Sequence, residues 1–180
     1  MSGSVLIRPE ETSDFEEIES VIRSAFDGSE YGYHGEAELV AELRRATTVV
    51  AFVALMAEQI VGHLVYSPVE MVASSNRLQG MGLGPVAVLP QWQRQGIGSQ
   101  LIQHGSSALK ERGNPFTVVV GDLHYYQRFH FFPASNWEIR HRFEALPQEV
   151  LGIQWESTSS QEKYCGAVIR YDDAFGPQPE

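Results

Sequence analysis

The sequence holds one cysteine, Cys165, in 180 residues. No intrachain disulfide can form, and one thiol is too few for a cysteine-based metal site. Positive charge is also scarce. Lys and Arg number 13 against 23 Asp and Glu, a formal net charge of -10. A general nucleic-acid binder carries a basic stripe, and a polybasic membrane-surface protein carries a basic cluster, so both classes are disfavoured. A cationic partner such as an amine is compatible with an acidic surface, although net charge alone does not show one. No apolar run approaches the roughly 20 residues that span a bilayer. The N-terminus meets charge at Arg8, Glu10 and Glu11 with no basic region followed by an apolar stretch. No signal peptide is therefore expected, and the cytoplasm is the expected location. Internal repeats and low-complexity blocks are absent as well.

What is present is an ordinary globular composition, 43% hydrophobic and 20% charged. The length suits one compact domain, expected over 1–175, with Gly176–Glu180 as a flexible tail. Leu6 and Ile7 fit a short strand. Ser13 and Glu16 have capping-box spacing ahead of a helix through Phe15, Ile18, Ile22, Ala25 and Phe26. A second helix is expected over His34–Arg45. Three strands should follow: Thr47–Leu55, Gln59 onward through Val72, and Gln79–Leu89, the first two joined by a tight turn at Ala57-Glu58. A helix with Ile97, Leu101, Ile102, Gly105, Ala108 and Leu109 on its inner face ends at Arg112, Gly113 and Pro115. Phe116–Val120 reads as a strand covered on both faces, Leu123–Phe129 as a short helix, and Tyr164–Tyr171 as the clearest of the later strands. The sum is α+β: a mixed sheet with helices on its faces.

The stretch richest in chemistry is Val86-Ala87-Val88-Leu89-Pro90-Gln91-Trp92-Gln93-Arg94-Gln95-Gly96-Ile97-Gly98-Ser99. It reads as a buried strand, a polar turn with two glycines, and the start of an amphipathic helix. The first N–H groups of a helix have no intrahelical partner, and the helix dipole favours negative charge there. Gly96 and Gly98 let a ligand approach the backbone, and Arg94 adds a cation, so the turn suits a pyrophosphate. A P-loop would need Lys followed by Ser or Thr, which is missing. The dinucleotide fingerprint would need a small residue where Leu101 stands. Gly80-Met81-Gly82-Leu83-Gly84 is glycine-rich but leads into strand, so it is set aside as a phosphate site.

The spacing Gln93-x-x-Gly96-x-Gly98 resembles the Gln/Arg-x-x-Gly-x-Gly/Ala acyl-CoA motif of the GNAT superfamily of N-acetyltransferases. The run Tyr125-Tyr126-Gln127-Arg128-Phe129-His130-Phe131 resembles that family's Phe-Tyr-x-x-x-Gly-Phe motif, with His130 in place of glycine. Glu36–Arg44 and the Gly-x-Val-x-x-Tyr ending at Tyr171 look like the YhbS-type subgroup. The resemblance implies a mixed, mostly antiparallel sheet in which strands four and five, here about Gln79–Leu89 and Phe116–Val120, splay to admit pantetheine; Pro85 supports such an interruption.

By the same resemblance the cosubstrate is acetyl-CoA, with no metal. Backbone groups of Val86, Ala87 and Val88 would face pantetheine and thioester, and Gln93, Arg94, Gln95, Gly96, Ile97, Gly98 and Ser99 would hold the pyrophosphate. Tyr126 would contact the cofactor and act as general acid toward the departing thiolate. Glu70 is the candidate base, with His63, His34, Glu36 and Glu38 behind it and a water chain as another route. The expected reaction is direct acetyl transfer to a primary amine, either a small molecule or a protein amine. A homodimer through the C-terminal half is common in the family. Two other readings stay open: a catalytically weak CoA-binding regulatory or interaction module, and a nucleotide-binding protein using the same turn. Cys165 reads as a buried bystander.

Overall fold

The computed structural model describes residues 4–27, 35–74, 76–156 and 161–178. They fall into two compact units, 1–66 with 85–108, and 67–84 with 109–180. The first contains β1 (Leu6–Pro9), α1 (Phe15–Phe26), α2 (Glu36–Ala46), β2 (Val50–Met56) and most of α3 (Ile97–Glu111). The second contains β5 (Phe116–Val120), α4 (Leu123–Tyr126), β6 (Phe132–Pro133), β7 (Arg140–His141), β8 (Leu151–Trp155) and β9 (Val168–Arg170). Two long strands, β3 (Gln59–Ala73) and β4 (Asn76–Val88), contribute one end to each unit.

In the first unit β1 pairs antiparallel with β2, and β2 with β3. Ala57 and Glu58 turn between them with φ of 47° and 69°. Both angles are left-handed, as the tightest hairpin turn requires. Gly62 brings α3 close to β3: a Cβ there would stand 3.1 Å from Leu101 Cδ1 and 3.3 Å from Ile97 Cγ2. Gly105 does the same from the helix side, where a Cβ would lie 2.5 Å from the Tyr66 ring. Leu101 and Ile102 are fully buried as the helical spacing predicts. The next residue on β3, His63, points to the opposite face. There it joins Glu10 and Arg44, the latter from α2. Helices therefore cover both faces of this part of the sheet.

Glu10, Arg44 and His63 form a buried polar group. Arg44 donates to Glu10 through Nε at 3.0 Å and Nη2 at 2.6 Å, and His63 Nε2 lies 3.0 Å from Glu10 Oε2. Burial holds His63 below the usual histidine value despite Glu10. It is therefore neutral near pH 7, with Nε2–H donating to the carboxylate. Burial opposes ionisation of Glu10, but hydrogen bonds from His63 and Arg44 outweigh it and hold the carboxyl below its usual value.

In the second unit β4 pairs parallel with β5 over Met81–Leu83. β8 is antiparallel to both β5 and β6. β9 pairs antiparallel with β3 over Glu70–Val72 and parallel with β7. On β3 the ladder with β2 ends at Tyr66, and that with β9 begins at Glu70. Pro68, which cannot donate to a ladder, falls in the interval between the two partners. Beyond Leu83, Gly84 takes φ +131° and Pro85 follows. The glycine run set aside as a phosphate site makes room for rings. A Cβ on Gly80 would meet the Phe116 ring at 2.5 Å, and one on Gly82 would meet Tyr171 at 3.0 Å.

Several local expectations are corrected. Ser13 does not cap α1. Asp14 accepts from the Glu11 N–H at 2.8 Å while Arg8 grips its carboxylate at 2.6 and 2.9 Å. Of Tyr164–Tyr171 only Val168–Arg170 is strand, because Gly166 turns the chain with φ +75°. Cys165, just before that turn, is exposed rather than buried. Gln178, in the stretch expected to fray, brackets Tyr171 by accepting from its N–H at 2.8 Å and donating to its carbonyl at 3.0 Å. His34 lies outside the described residues.

The polar group beneath α2 makes stability pH-dependent in one direction. His63 has a lowered folded pKa, so the unfolded chain binds its proton first, and stability falls as pH drops below about 6.5. The lowered pKa of Glu10 adds a further loss at lower pH. Glu10→Gln leaves Arg44 without a countercharge and should cost about 3 kcal/mol, read from urea unfolding at pH 7. A loss below about 1 kcal/mol would reduce the group to a surface-like ion pair.

Candidate active site

The turn from β4 to α3 is built by short-range rules. The Leu89 N–H donates to Val61 O at 2.9 Å, tying the strand end to β3. Pro90 opens a single 3-10 turn, Pro90–Trp92. Gln93 is extended, Arg94 is left-handed at φ +62°, and Gly96 is left-handed at φ +85°. Two glutamine side chains brace this path. Gln93 Nε2 donates to Val88 O, and Gln95 Nε2 to Gln91 O, each at 3.0 Å. Ile97 anchors the helix start in the core, 2% exposed.

The first α3 bond runs from the Gln100 N–H to Gly96 O at 3.0 Å. That leaves the N–H groups of Ile97, Gly98 and Ser99 without a helical acceptor. A Cβ on Gly96 would meet nothing within 4 Å, so the space over the turn is open. Gln93–Gly96 are exposed, and Arg94 makes no ion pair among the described residues. The sequence carries a further signal in what surrounds Arg94. No Asp or Glu occurs from Met71 to Lys110, in a chain whose net charge is -10. Free amides, a free guanidinium and no nearby acid in the chain together suit an anion.

Beside the turn a cleft of about 320 Å³ is lined by Val5, Met56, Trp92, Gln95, Ile97 and Gln100. Its walls carry no charge, so a phosphate suits the turn rather than the cleft. Ala87 is buried, Val86 and Val88 are half-buried, and the Val88 carbonyl is the one taken by Gln93.

Tyr126 and Glu70 belong to the second unit. Asp122 caps α4 by accepting from the His124 N–H at 2.9 Å, and its carbonyl accepts from the Tyr126 N–H at 3.2 Å. The Tyr126 ring stands edge-on to Tyr125 at 5.1 Å and to Phe131 at 5.8 Å. Gly121 admits it: a Cβ there would lie 2.9 Å from Tyr126 Cε2. Burial, helped by Tyr125 and Asp122, pushes the phenol up to about 12. It stays protonated at neutral pH and can only lose its proton to a strong base or a developing anion. His130 adopts φ +63°, the left-handed angle a glycine would supply, and its N–H donates to Gln127 O at 3.0 Å. Histidine is among the side chains that tolerate this region. The turn behind Tyr126 is therefore kept despite the substitution.

Glu70 sits on β3 opposite Arg170 of β9. Its carboxylate accepts from Arg77 at 2.5 Å and Gln79 at 3.2 Å, with the side chain 23% exposed. A carboxylate has about four lone-pair sites, so acceptor capacity remains. No described hydrogen bond or ring contact joins Glu70 to Tyr126. Of the lesser base candidates, His63 is fully buried against Glu10 and cannot meet an acceptor. Glu36 is buried, and Glu38 is engaged by Arg23 at 2.6 Å. Sequence reasoning did not single out Ser67, a buried hydroxyl with no partner. A lone serine in an apolar strand gives no sequence signal.

Comparison with known proteins bears on this geometry. The profile of the acetyltransferase (GNAT) domain matches residues 6–134. The uncharacterized N-acetyltransferase YhbS of Escherichia coli K12 is 33% identical over 141 residues, 77% of this chain and 80% of that protein. The uncharacterized N-acetyltransferase YjhQ of the same organism is 30% identical over 127 residues, covering 69% and 67%. The crystal structure of Escherichia coli YhbS in complex with CoA superposes with a TM-score of 0.86 at 28% identity, covering 98% of this chain and 94% of that one. A GNAT family acetyltransferase from Brucella melitensis in complex with acetyl-CoA gives 0.77 at 31% identity, covering 96% and 99%. Sequence profile, curated relatives and fold agree: the chain belongs to the GNAT family of acetyltransferases.

Proposed function

We propose that the protein binds acetyl-CoA at the β4–α3 turn and transfers the acetyl group directly to a primary amine. The observation that carries this reading is the set of free N–H groups at Ile97, Gly98 and Ser99 beside Arg94 and an unobstructed Gly96. Two relatives crystallised with CoA and with acetyl-CoA support the ligand. In this reading Gln93 and Gln95 brace the turn with one Nε2–H each, on Val88 and Gln91, and keep the second for phosphate. Arg94 adds charge to the pyrophosphate site. Val86, Ala87 and Val88 offer backbone groups to pantetheine and thioester, and an N–H near Val88 stabilises the tetrahedral oxyanion. The whole of 1–175 serves as one acetyltransferase domain, working in the cytoplasm without metal.

The thioester supplies an activated acetyl carbon. A lysine-like amine has a pKa near roughly 10.4 and must lose a proton to attack, which we assign to Glu70, directly or through water. The sulfur leaves as a thiolate, and Tyr126 gives it a proton. A phenol held at about 12 does not ionise before that moment.

Three measurements test these roles. Gly96→Val places a branched side chain over the turn and forces it into a left-handed backbone angle. Calorimetric titration with acetyl-CoA should show affinity lower by at least about tenfold in the folded variant, the loss of about one charge-assisted hydrogen bond. Unchanged affinity would move the cofactor elsewhere. Tyr126→Phe keeps the ring and deletes the donor. It should bind acetyl-CoA normally and lose about 100-fold in kcat, the low end for acid–base groups. A change under about threefold would leave Tyr126 as packing. Glu70→Gln should depress the rate most near neutral pH and least at high pH, where free amine is plentiful. A pH–rate profile parallel to that of the natural protein would remove Glu70 from the proton route.

A further inference from the structure

The buried polar side chains among the described residues are Asp14, Glu36, His63, Ser67, Thr117 and His141. The fold answers four of them. Arg8 grips Asp14, His63 donates to Glu10, Thr117 accepts from Asn114, and His141 is bonded to Phe143 and Pro147. Ser67, a neutral hydroxyl, and Glu36, a carboxylate, have no partner among the described residues. Glu36 is only 8% exposed. A carboxylate accepts hydrogen bonds and donates none, and its burial is unfavourable without donors or an opposite charge.

Glu36 stands on the buried side of α2, which it shares with Ala37, Val40 and Leu43. Val40 and Arg44 follow it at i+4 and i+8, so the three lie in one line along the helix. Arg44 ends that line, about 12 Å along the axis from Glu36, and is committed to Glu10 beside His63. No other cation of the first unit is placed to serve Glu36. Its Lys and Arg side chains are Arg8, Arg23, Arg44, Arg45 and Arg94. Arg8 binds Asp14, and Arg23 bridges Glu19 and Glu38. Arg45 sits in the last turn of α2, and Arg94 in the β4–α3 turn. The helix dipole favours negative charge at the start of α2, but it offsets only part of the burial. A metal ion would lack ligands, since no group of three His, Cys, Asp or Glu among the described residues could hold one.

The strand that the acetyl-transfer reading gives to the thioester belongs to the same unit. Val86, Ala87 and Val88 are the last residues of β4. β3 runs beside them: the Leu89 N–H donates to Val61 O at 2.9 Å, and a Cβ on Gly62 would stand 3.2 Å from Ala87 O. His63 is next on β3, and through Glu10 it meets the Arg44 end of α2. One line of side chains thus leads from the thioester strand to an unpaired carboxylate two helical turns away.

We propose that Glu36 binds a second, unreacting ammonium of the acceptor, so that the protein acts on diamines and polyamines in preference to monoamines. This rests on the N-acetyltransferase reading above. The reacting amine must be neutral, and a carboxylate held against it would stabilise the protonated form that cannot attack. A carboxylate set apart from the thioester instead suits a nitrogen that keeps its proton throughout. At the reacting end the nitrogen–carbon bond forms and the carbon–sulfur bond breaks with its electron pair on sulfur. One amine proton is lost there and one proton is gained by the thiolate, while the ammonium at Glu36 is unchanged. Acidic residues outnumber arginines in this unit, which favours the approach of a dication.

The test uses the full-length protein with acetyl-CoA, a series of α,ω-diaminoalkanes and the n-alkylamines of matching length, read by release of free thiol. The natural protein should favour the best diamine over its monoamine by at least about tenfold in kcat/KM, the effect of one charge-assisted hydrogen bond. Glu36→Gln keeps the shape of the side chain and removes its charge. It should narrow the preference to within about twofold, mainly through KM for the diamine, with acetyl-CoA affinity unchanged. Its unfolding temperature should hold or rise, since a buried charge without a partner has been removed. Glu36→Asp restores the charge and should recover part of the preference. The proposal is overturned by a natural protein with no preference, or by a Glu36→Gln variant that keeps it. Equal losses for diamine and monoamine would also overturn it, since a general base or a structural prop acts on both alike, and so would a lowered unfolding temperature. If the natural protein releases no thiol with any amine, the N-acetyltransferase reading itself falls, and that outcome is distinct from the others.

Discussion

The amides at the start of α3 can serve an anion only if nothing inside the protein takes them. Much of the first unit is arranged around that constraint. Gln93 and Gln95 reach back to the carbonyls of Val88 and Gln91, so the turn is braced by side-chain bonds that leave its helix-start amides free. Ile97 is pinned in the core, Gly62 makes room on β3 for the Leu101 and Ile97 side chains of α3, and Gly105 makes room on α3 for the Tyr66 ring of β3. A helix seated this closely presents its first turn with little freedom, which is what preorganised anion binding requires. Left-handed angles at Arg94 and Gly96 set the path into it.

In the second unit the controlling fact is that strands change partners. β3 is paired by β2 up to Tyr66 and by β9 from Glu70, with Pro68 between. β4 is paired by β5 only over Met81–Leu83, after which Gly84 takes an angle few other residues adopt. Ladders normally consume backbone polar groups, so such breaks are where a sheet has groups to offer. Glycine has a different use two residues earlier. Gly82 lies under the Tyr171 ring, which fixes an aromatic side chain across two strands.

Much of this was legible in the sequence because it depends on local pattern. Helical spacing identified α1 and the buried face of α3, the β-branched runs identified β2, β3 and β5, and Leu123–Phe129 emerged as α4 followed by a 3-10 turn. The β4–α3 turn was legible because glycine spacing, a preceding strand and a following helix coincide. What failed depended on long-range partners. Ser13 looked like a cap, but Arg8 on a neighbouring strand fixes Asp14 instead. His63 looked available as a base, yet Glu10, distant in sequence, holds it in the core. Ser67 gave no signal at all, since a lone serine in an apolar strand does not reveal that its hydroxyl is buried without a partner. His130 departed from the family motif, but the backbone angle that glycine normally supplies is retained.

The central claim is that the free amides of the β4–α3 turn are the anion site. Amide hydrogen exchange resolved by residue, with and without CoA, tests it most directly. The account predicts that exchange at Ile97, Gly98 and Ser99 slows markedly when CoA is added, because those N–H groups gain acceptors they lack in the free protein. Unchanged exchange at these three amides under saturating CoA, with protection appearing elsewhere, would contradict it.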